Sequence, residues 1–326
     1  MTDRALDIDA KPSPEHVPLI PAKAGIQGNK RWSLRPWIPA FAGMSGNDLA
    51  EKPRRQAGAM PFAVKIVIAW LAGMILVAIL AHLIAPYSFT APDLRNRLSP
   101  PGNPLHLLGT DELGRDVLSR LIVSIRVSLL IAFGASIISA VFGTTLGFLA
   151  AYFRGLVEQA VLMLADFQAS MPFLILALSV LAFFGNSLPL LIALMGLFGW
   201  ERYARIARGL AISASAQGYA SAVRQLGATP ARVYLRHILP NIASTLIVSM
   251  TLVFPEVILL ESGLSFLGLG MQPPMTSLGN MVGYGREYIT RAPWIMLAPS
   301  FTIVFTTLAV SMLGDWLRDR LDPTLR

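Results

Sequence analysis

Stretches of about twenty apolar, almost uncharged residues recur along this chain from Pro61 onward. Such a run is the length that crosses the hydrocarbon core of a bilayer as a helix. No other feature constrains the fold as strongly. In lipid every backbone N–H and C=O must be satisfied within the chain, which leaves helices or a closed barrel. Runs this long and this continuously apolar select helices. Composition agrees: of 326 residues 54% are hydrophobic and 14% charged, whereas soluble domains carry about 25% charged residues. A soluble chain of this kind could not cover its own apolar surface.

The runs predict an all-α polytopic membrane protein with about six spans, near residues 66–84, 127–152, 161–184, 188–204, 242–260 and 294–313. The stretch Val161–Trp200 is too long for one span, and Gly185-Asn186-Ser187-Leu188-Pro189 reads as the turn of a tight helical hairpin within it. Residues 61–326 therefore form the transmembrane domain. Residues 1–60 are polar and rich in Pro, Gly, Lys and Arg, without a sustained helical or strand period, and read as a disordered cytosolic extension. Within them, Ile20–Asn29 repeats Ile38–Asn47 at seven of ten positions. Two copies are too few for a solenoid.

The net charge of +8 would suggest nucleic acid in a soluble protein. Here the basic residues are explained by topology. With the N-terminus inside and six spans, most of the 27 Lys and Arg fall on the inner side, so both termini are expected in the cytoplasm. Nucleic acid is not an expected partner. There is no cysteine, and His16, His82, His106 and His237 are scattered, so no metal or cofactor site is expected. A Gly-x-x-x-x-Gly-Lys-Ser/Thr phosphate loop is missing, so any ATP hydrolysis must belong to another chain.

Intramembrane acids are costly in lipid and need an explanation. Asp166 lies one turn into the third span, within reach of the interface. Glu256 follows Pro255 in the fifth span, where it either pairs within the bundle or lines a pathway. Glu261 lies near the outer end of the same span. Before the second span, Asp111, Glu112, Arg115 and Asp116 fall at helical spacing and suggest a self-paired interfacial helix. The segment from Ser262 to Pro274 is apolar but broken by Gly and Pro, and reads as a re-entrant or capping element.

The most distinctive polar stretch is GYASAVRQLGATPARVYLRHILPN, residues 218–241, inside the loop 205–240. Tyr219, Ala222, Val223 and Leu226 share one helical face. Gly227 can take a positive φ and end that helix. Beyond Ala228, Thr229 is a good N-cap and Pro230 a good first helical residue. A short second helix, Ala231–Ile238, is expected, after which Leu239-Pro240-Asn241 returns the chain to the membrane. An ordinary amphipathic connector would show the same periodicity.

The spacing does resemble the loop that marks integral-membrane subunits of binding-protein-dependent ABC importers: Glu-Ala-Ala, three residues, Gly, nine residues, Ile-x-Leu-Pro. Ala222, Gly227, Leu239 and Pro240 match; Ser221, Val223 and His237 depart from it. Further words occur in order: LGTDELGRDVLSR from Leu108, ARIARG from Ala204, RHILPN from Arg236, ESGLSFLGLGMQPP from Glu261 and GDWLRDRLDP from Gly314. Together they resemble the C-type permease of the dipeptide/oligopeptide/nickel importer family, over about residues 61–326.

The resemblance implies a type I ABC importer permease fold in a bacterial inner membrane. It implies four partners: a homologous second permease, forming a heterodimer, two cytosolic ATPase subunits and a periplasmic solute-binding protein. In that family the helix after the glycine couples the permease to its ATPase. The coupling residues carried over are Tyr219, Ala222, Leu226, Gly227, Ala228, Thr229, Pro230, Arg232, Arg236, His237, Leu239 and Pro240. Asp166, Glu256 and Glu261 are the candidates for the pathway or its gate. A proton-coupled secondary carrier is the alternative; it would want paired ionisable groups near the bilayer midplane.

Overall fold

The computed structural model describes residues 60–321. The repeat at Ile20–Asn29 and Ile38–Asn47, and nearly all of the N-terminal extension, lie outside the described residues. The described residues are helical, without a β-sheet. Their elements are α1 (Phe62–Ile79), α2 (Ala81–Ile84), α3 (Val117–Phe153), α4 (Gly155–Ser170), α5 (Phe173–Phe184), α6 (Leu188–Gly196), α7 (Trp200–Ser215), α8 (Gly218–Gln225), α9 (Pro230–Arg232), a π-helical segment (Val233–Ile238), α10 (Leu239–Phe266), α11 (Leu278–Gly285) and α12 (Trp294–Leu321).

Four helices are long and apolar enough to cross a membrane: α1, α3, the continuous Pro230–Phe266 rod, and α12. A fifth crossing is possible if α4 and α5 together make one, although they are bent by 87° at a short break. Pro172 explains the break. A proline disfavours the α region for the residue before it, and Met171 is extended at ψ 133°.

The expected fourth span, 188–204, is not one helix. Ser187 caps α6, its side chain accepting from the Leu190 amide at 3.4 Å. After nine residues α6 stops, and Gly199 takes φ +79° before α7 begins. At 1.5 Å per residue α6 rises only about 14 Å, well short of the roughly 30 Å core. The strength of the apolar run hid both breaks from a window-based count.

The centre of the bundle is α3 against α7. Gly143 and Gly147 lie one turn apart on α3, opposite Tyr203, Ala204 and Ala207 of α7. A Cβ built on Gly147 would lie 2.5 Å from the Ala204 carbonyl oxygen, and one on Gly143 would lie 2.7 Å from Tyr203 Cβ. Small residues at this spacing let two membrane helices touch backbone to backbone, where lipid supplies no hydrophobic drive. Ala207 and Ala211 continue the stripe, fully buried.

Polar side chains join the other helices. Ser139 on α3 donates to the Gly196 and Phe198 carbonyls at 2.8 and 2.6 Å. Trp70 on α1 donates to Thr306 on α12 at 3.4 Å. The outward sides of α1, α3 and α5 stay apolar and exposed, including Leu76, Ile137, Ile175 and Phe183. Such surface suits lipid or a second subunit.

Candidate functional site

The hairpin at residues 217–238 is built much as its residues dictate. Gln217 is extended and α8 follows. Gly227 ends the turn at φ +81°, and nothing lies within 4 Å of where its Cβ would be. The demand for glycine is therefore conformational, not steric. Pro230 occupies the first turn of α9.

Two details differ from expectation. Thr229 sits at the N-cap with ψ 151°, but its side chain makes no capping hydrogen bond. The second helix is also not a separate element. It runs through the π-helical turn Val233–Ile238 straight into α10, giving one rod, Pro230–Phe266. Pro240 has no N–H to donate and a ring that crowds the preceding turn. A wider turn ahead of it keeps the helix continuous.

The hairpin has an anchored side and a free side. Val233, Tyr234 and Ile238 are buried. Tyr234 packs edge-on against Phe148 and Tyr152 of α3, with ring centroids 5.2 and 6.0 Å apart. Tyr219, Ala228, His237 and Leu239 are half-buried. Ala222, Leu226, Gly227, Thr229, Pro230, Arg232, Leu235, Arg236 and Pro240 are exposed. Leu226 is 87% exposed, which is unusual for a leucine at the apex of an ordered turn. Leu226 therefore leaves the face it shares in sequence with Tyr219 and Val223, both of which pack against the core. Leu226, Leu235, Arg232 and Arg236 thus give the tip a mixed apolar and basic exposed surface.

The intramembrane acids do not come together. Each of the first two pairs with an arginine of α7. Arg202 donates to Glu256 of α10 at 3.1 Å, and Arg205 donates to Asp166 of α4 at 3.0 Å. Arg208 pairs with Glu158, at the start of α4, which the sequence did not single out. Arg202, Arg205 and Arg208 thus form a ladder at three-residue spacing, tying α7 to both neighbours. The signal for it was present in the ARIARG word, but partners about fifty residues away are invisible to local spacing. The Glu256 and Arg202 side chains are 40% and 39% exposed. Charges exposed at this depth fit a water-lined cavity or a subunit interface better than lipid.

Glu261 lies elsewhere, 1% exposed at the far end of α10. Its Oε1 accepts from Ser265 at 2.7 Å and Ser277 at 2.6 Å. Ser277 caps α11, accepting from the Asn280 amide at 3.1 Å. Gly279 leaves room for the second oxygen; a Cβ there would sit 3.1 Å from Oε2. Leu278 N donates to Ser128 of α3 at 3.0 Å, and Ser124 and Thr276 meet at 2.9 Å. The segment after Ser262 is thus the last turn of α10, an irregular stretch and α11, packed as a cap.

The Asp111 region is a second correction. It forms no helix. Gly109 and Gly114 take φ near +75°, and the chain folds into a turn closed by an isolated bridge between Thr110 and Asp116. The charges do pair with one another. Asp111, fully buried, accepts from the Leu113 and Arg115 amides at 2.9 Å and from Arg115 Nε at 2.7 Å, and also binds Arg120. Asp116 caps α3, accepting from Ser119 N and Oγ at 2.7 Å, and meets His106 Nδ1 at 3.1 Å. A buried carboxylate surrounded by donors favours a turn over a helix, because it satisfies otherwise orphaned amides.

These features define a helical membrane permease with a projecting hairpin and a polar cap. The chain belongs to the family of binding-protein-dependent transport system inner membrane components, whose model matches residues 143–326. It is 33% identical over 294 residues to a dipeptide transport system permease protein of Alkalihalophilus pseudofirmus, covering 90% of this chain and 92% of that one. It is 38% identical to a putative peptide transport system permease protein of Brucella suis, covering 78% and 86%. It is 34% identical to the oligopeptide transport system permease protein of Bacillus subtilis, covering 78% and 83%. Among solved structures, an inward-facing methionine ABC transporter chain matches with a TM-score of 0.50 at 20% identity, covering 63% of this chain and 97% of that one. That likeness concerns the fold. The secondary-carrier alternative is not supported by these relatives.

Proposed function

We propose that this chain is one half of a heterodimeric pathway importing peptides or a related small solute across a bacterial inner membrane. A periplasmic binding protein delivers the solute, and two cytosolic ATPase subunits supply the work. Both termini and the hairpin at residues 217–238 lie on the cytosolic side, in keeping with the excess of Lys and Arg there. The residues around Gly227 dock into the ATPase. The arginine ladder on α7 borders the route taken by the solute. The observation that carries this reading is the hairpin itself: a tip anchored by Tyr234, with Leu226, Arg232 and Arg236 presented to solvent. Membership of the binding-protein-dependent family supports that use of the tip.

The test is reconstitution of the full chain with its partner permease, ATPases and binding protein in sealed vesicles. Uptake of a labelled dipeptide should need ATP and binding protein and should persist after the proton gradient is collapsed. Uptake that follows the gradient instead would end this reading.

A further inference from the structure

Beside the hairpin lies an open cavity of about 420 Å³, lined in part by Tyr152, Arg154, Ser215, Arg224 and Tyr234. It sits where three elements meet: the last turn of α3, the end of α7, and the hairpin. No acidic side chain lines it. Among the described residues neither Arg154 nor Arg224 has a carboxylate partner. The Ser215 hydroxyl is buried without a hydrogen-bond partner. Two arginines without a carboxylate partner and a serine with an unpartnered hydroxyl among the lining residues make a donor-rich, acceptor-poor site.

The carbonyl ends of α3 and α7 contribute partial negative charge here, roughly half a unit each. The two arginines exceed that sum, so the cavity remains net positive. Its surroundings identify the ligand further. Tyr152, Phe153 and Leu156 border this end of α3 and are all exposed, Leu156 at 84%. An apolar collar with aromatic groups around a basic opening is what a membrane helix presents at headgroup depth.

The geometry points to a binding site for a phosphate ester in this cavity, held by the Arg154 and Arg224 guanidinium groups with Ser215 donating to a third oxygen. Guanidinium forks suit phosphate oxygens, and a hydroxyl completes the set. The exposed collar makes the headgroup of an anionic phospholipid the natural source; a soluble phosphate offers the same chemistry. Because Arg224 belongs to α8 and Tyr234 to the π-helical segment, an occupant would join α3 to the hairpin and stiffen it. The inference does not depend on which solute the chain transports.

The experiment uses the full chain within its assembled complex in neutral detergent. Melting temperature and lipid retention in native mass spectrometry are followed during titration with short-chain phosphatidylglycerol and, separately, with glycerol 3-phosphate. Phosphatidylglycerol should raise the melting temperature saturably. Arg154→Gln combined with Arg224→Gln should move the midpoint at least about tenfold higher; glutamine asks no more of the backbone at position 154, φ +52° and ψ −165°, than arginine does. Arg318→Gln, which like Arg224→Gln alone removes one exposed positive charge, should leave the midpoint in place. If the double variant does not assemble, Arg224→Gln alone, on the surface of α8, should still give a shift of about three- to fivefold. An arginine-dependent response to glycerol 3-phosphate equal to that to the lipid supports the site and assigns it to a soluble phosphate. An unchanged midpoint in the Arg154/Arg224 variants, or an equal loss in Arg318→Gln, overturns it.

Discussion

At the cap end of the bundle, Asp111 is buried under four donated hydrogen bonds and two arginines. At the hairpin end, Arg232 and Arg236 stand exposed with no carboxylate partner among the described residues. Similar charged residues are thus used in opposite ways on one chain. The cap pairs its charges within itself; the hairpin leaves its charges exposed. Buried, fully paired groups are costly to disturb but cannot be offered to a partner. The contrast separates a self-paired end from one whose charges face outward.

The largest effect should come from the cap. Asp111→Asn leaves the buried Arg120 guanidinium without its counter-charge, while Arg115 keeps only Glu112, a loss of about 3–5 kcal/mol. Folded yield and melting temperature in detergent should both fall sharply. A melting temperature equal to the parent chain would erase the distinction between the two ends.

Next is the seam between them. Gly147→Val pushes a branched side chain into the Ala204 backbone, where nothing flexible can yield. The cost should reach the upper part of the usual 1–3 kcal/mol for overpacking. It should be read as reduced assembly in size-exclusion chromatography, with membrane insertion intact.

Gly227→Val is milder for stability, roughly 1 kcal/mol or more from the positive φ alone. It should nonetheless uncouple transport: ATP hydrolysis without uptake in vesicles, or loss of the ATPase subunits on purification. Gly227→Asn, a side chain that tolerates this conformation, should restore both. Normal uptake by the valine variant would reduce the hairpin to a connector. The smallest effect belongs to Pro230→Ala, which removes only a preset backbone angle at a first helical turn. Uptake within about twofold of the parent chain is expected there, and a severe defect would mean the hairpin end is as intolerant as the cap.

What the sequence disclosed follows the range of the forces involved. The long spans were legible because lipid imposes length on every run, and the hairpin because Gly227 and Pro230 act within a few residues. The bend at Met171-Pro172 and the stop at Gly199 were missed because one proline or glycine is faint inside an apolar window. The Asp111 turn was read as a helix because its four charges fit helical spacing, while the decisive facts were the positive φ of Gly109 and Gly114 and the buried Arg120. The pairs Arg202–Glu256 and Arg205–Asp166 join residues 54 and 39 positions apart, and only packing could reveal them.

The continuity of Pro230–Phe266 gives the hairpin a long lever arm. Thirty-seven residues at 1.5 Å each make a rod of roughly 55 Å, so a tilt of about 10° at one end carries the other by roughly 10 Å. Beyond the π-helical turn the rod has a weak joint at Pro255, which cannot donate to the Thr251 carbonyl one turn back. Beyond that joint Glu261 is clasped by Ser277, and Ser128 holds the first residue of α11 to α3. A push at Leu226 therefore acts on a rod held at its far end and hinged between. Spin labels at Leu235 and Leu259 should change separation when the ATPases close on nucleotide, and Pro255→Ala, by stiffening the joint, should shrink that change.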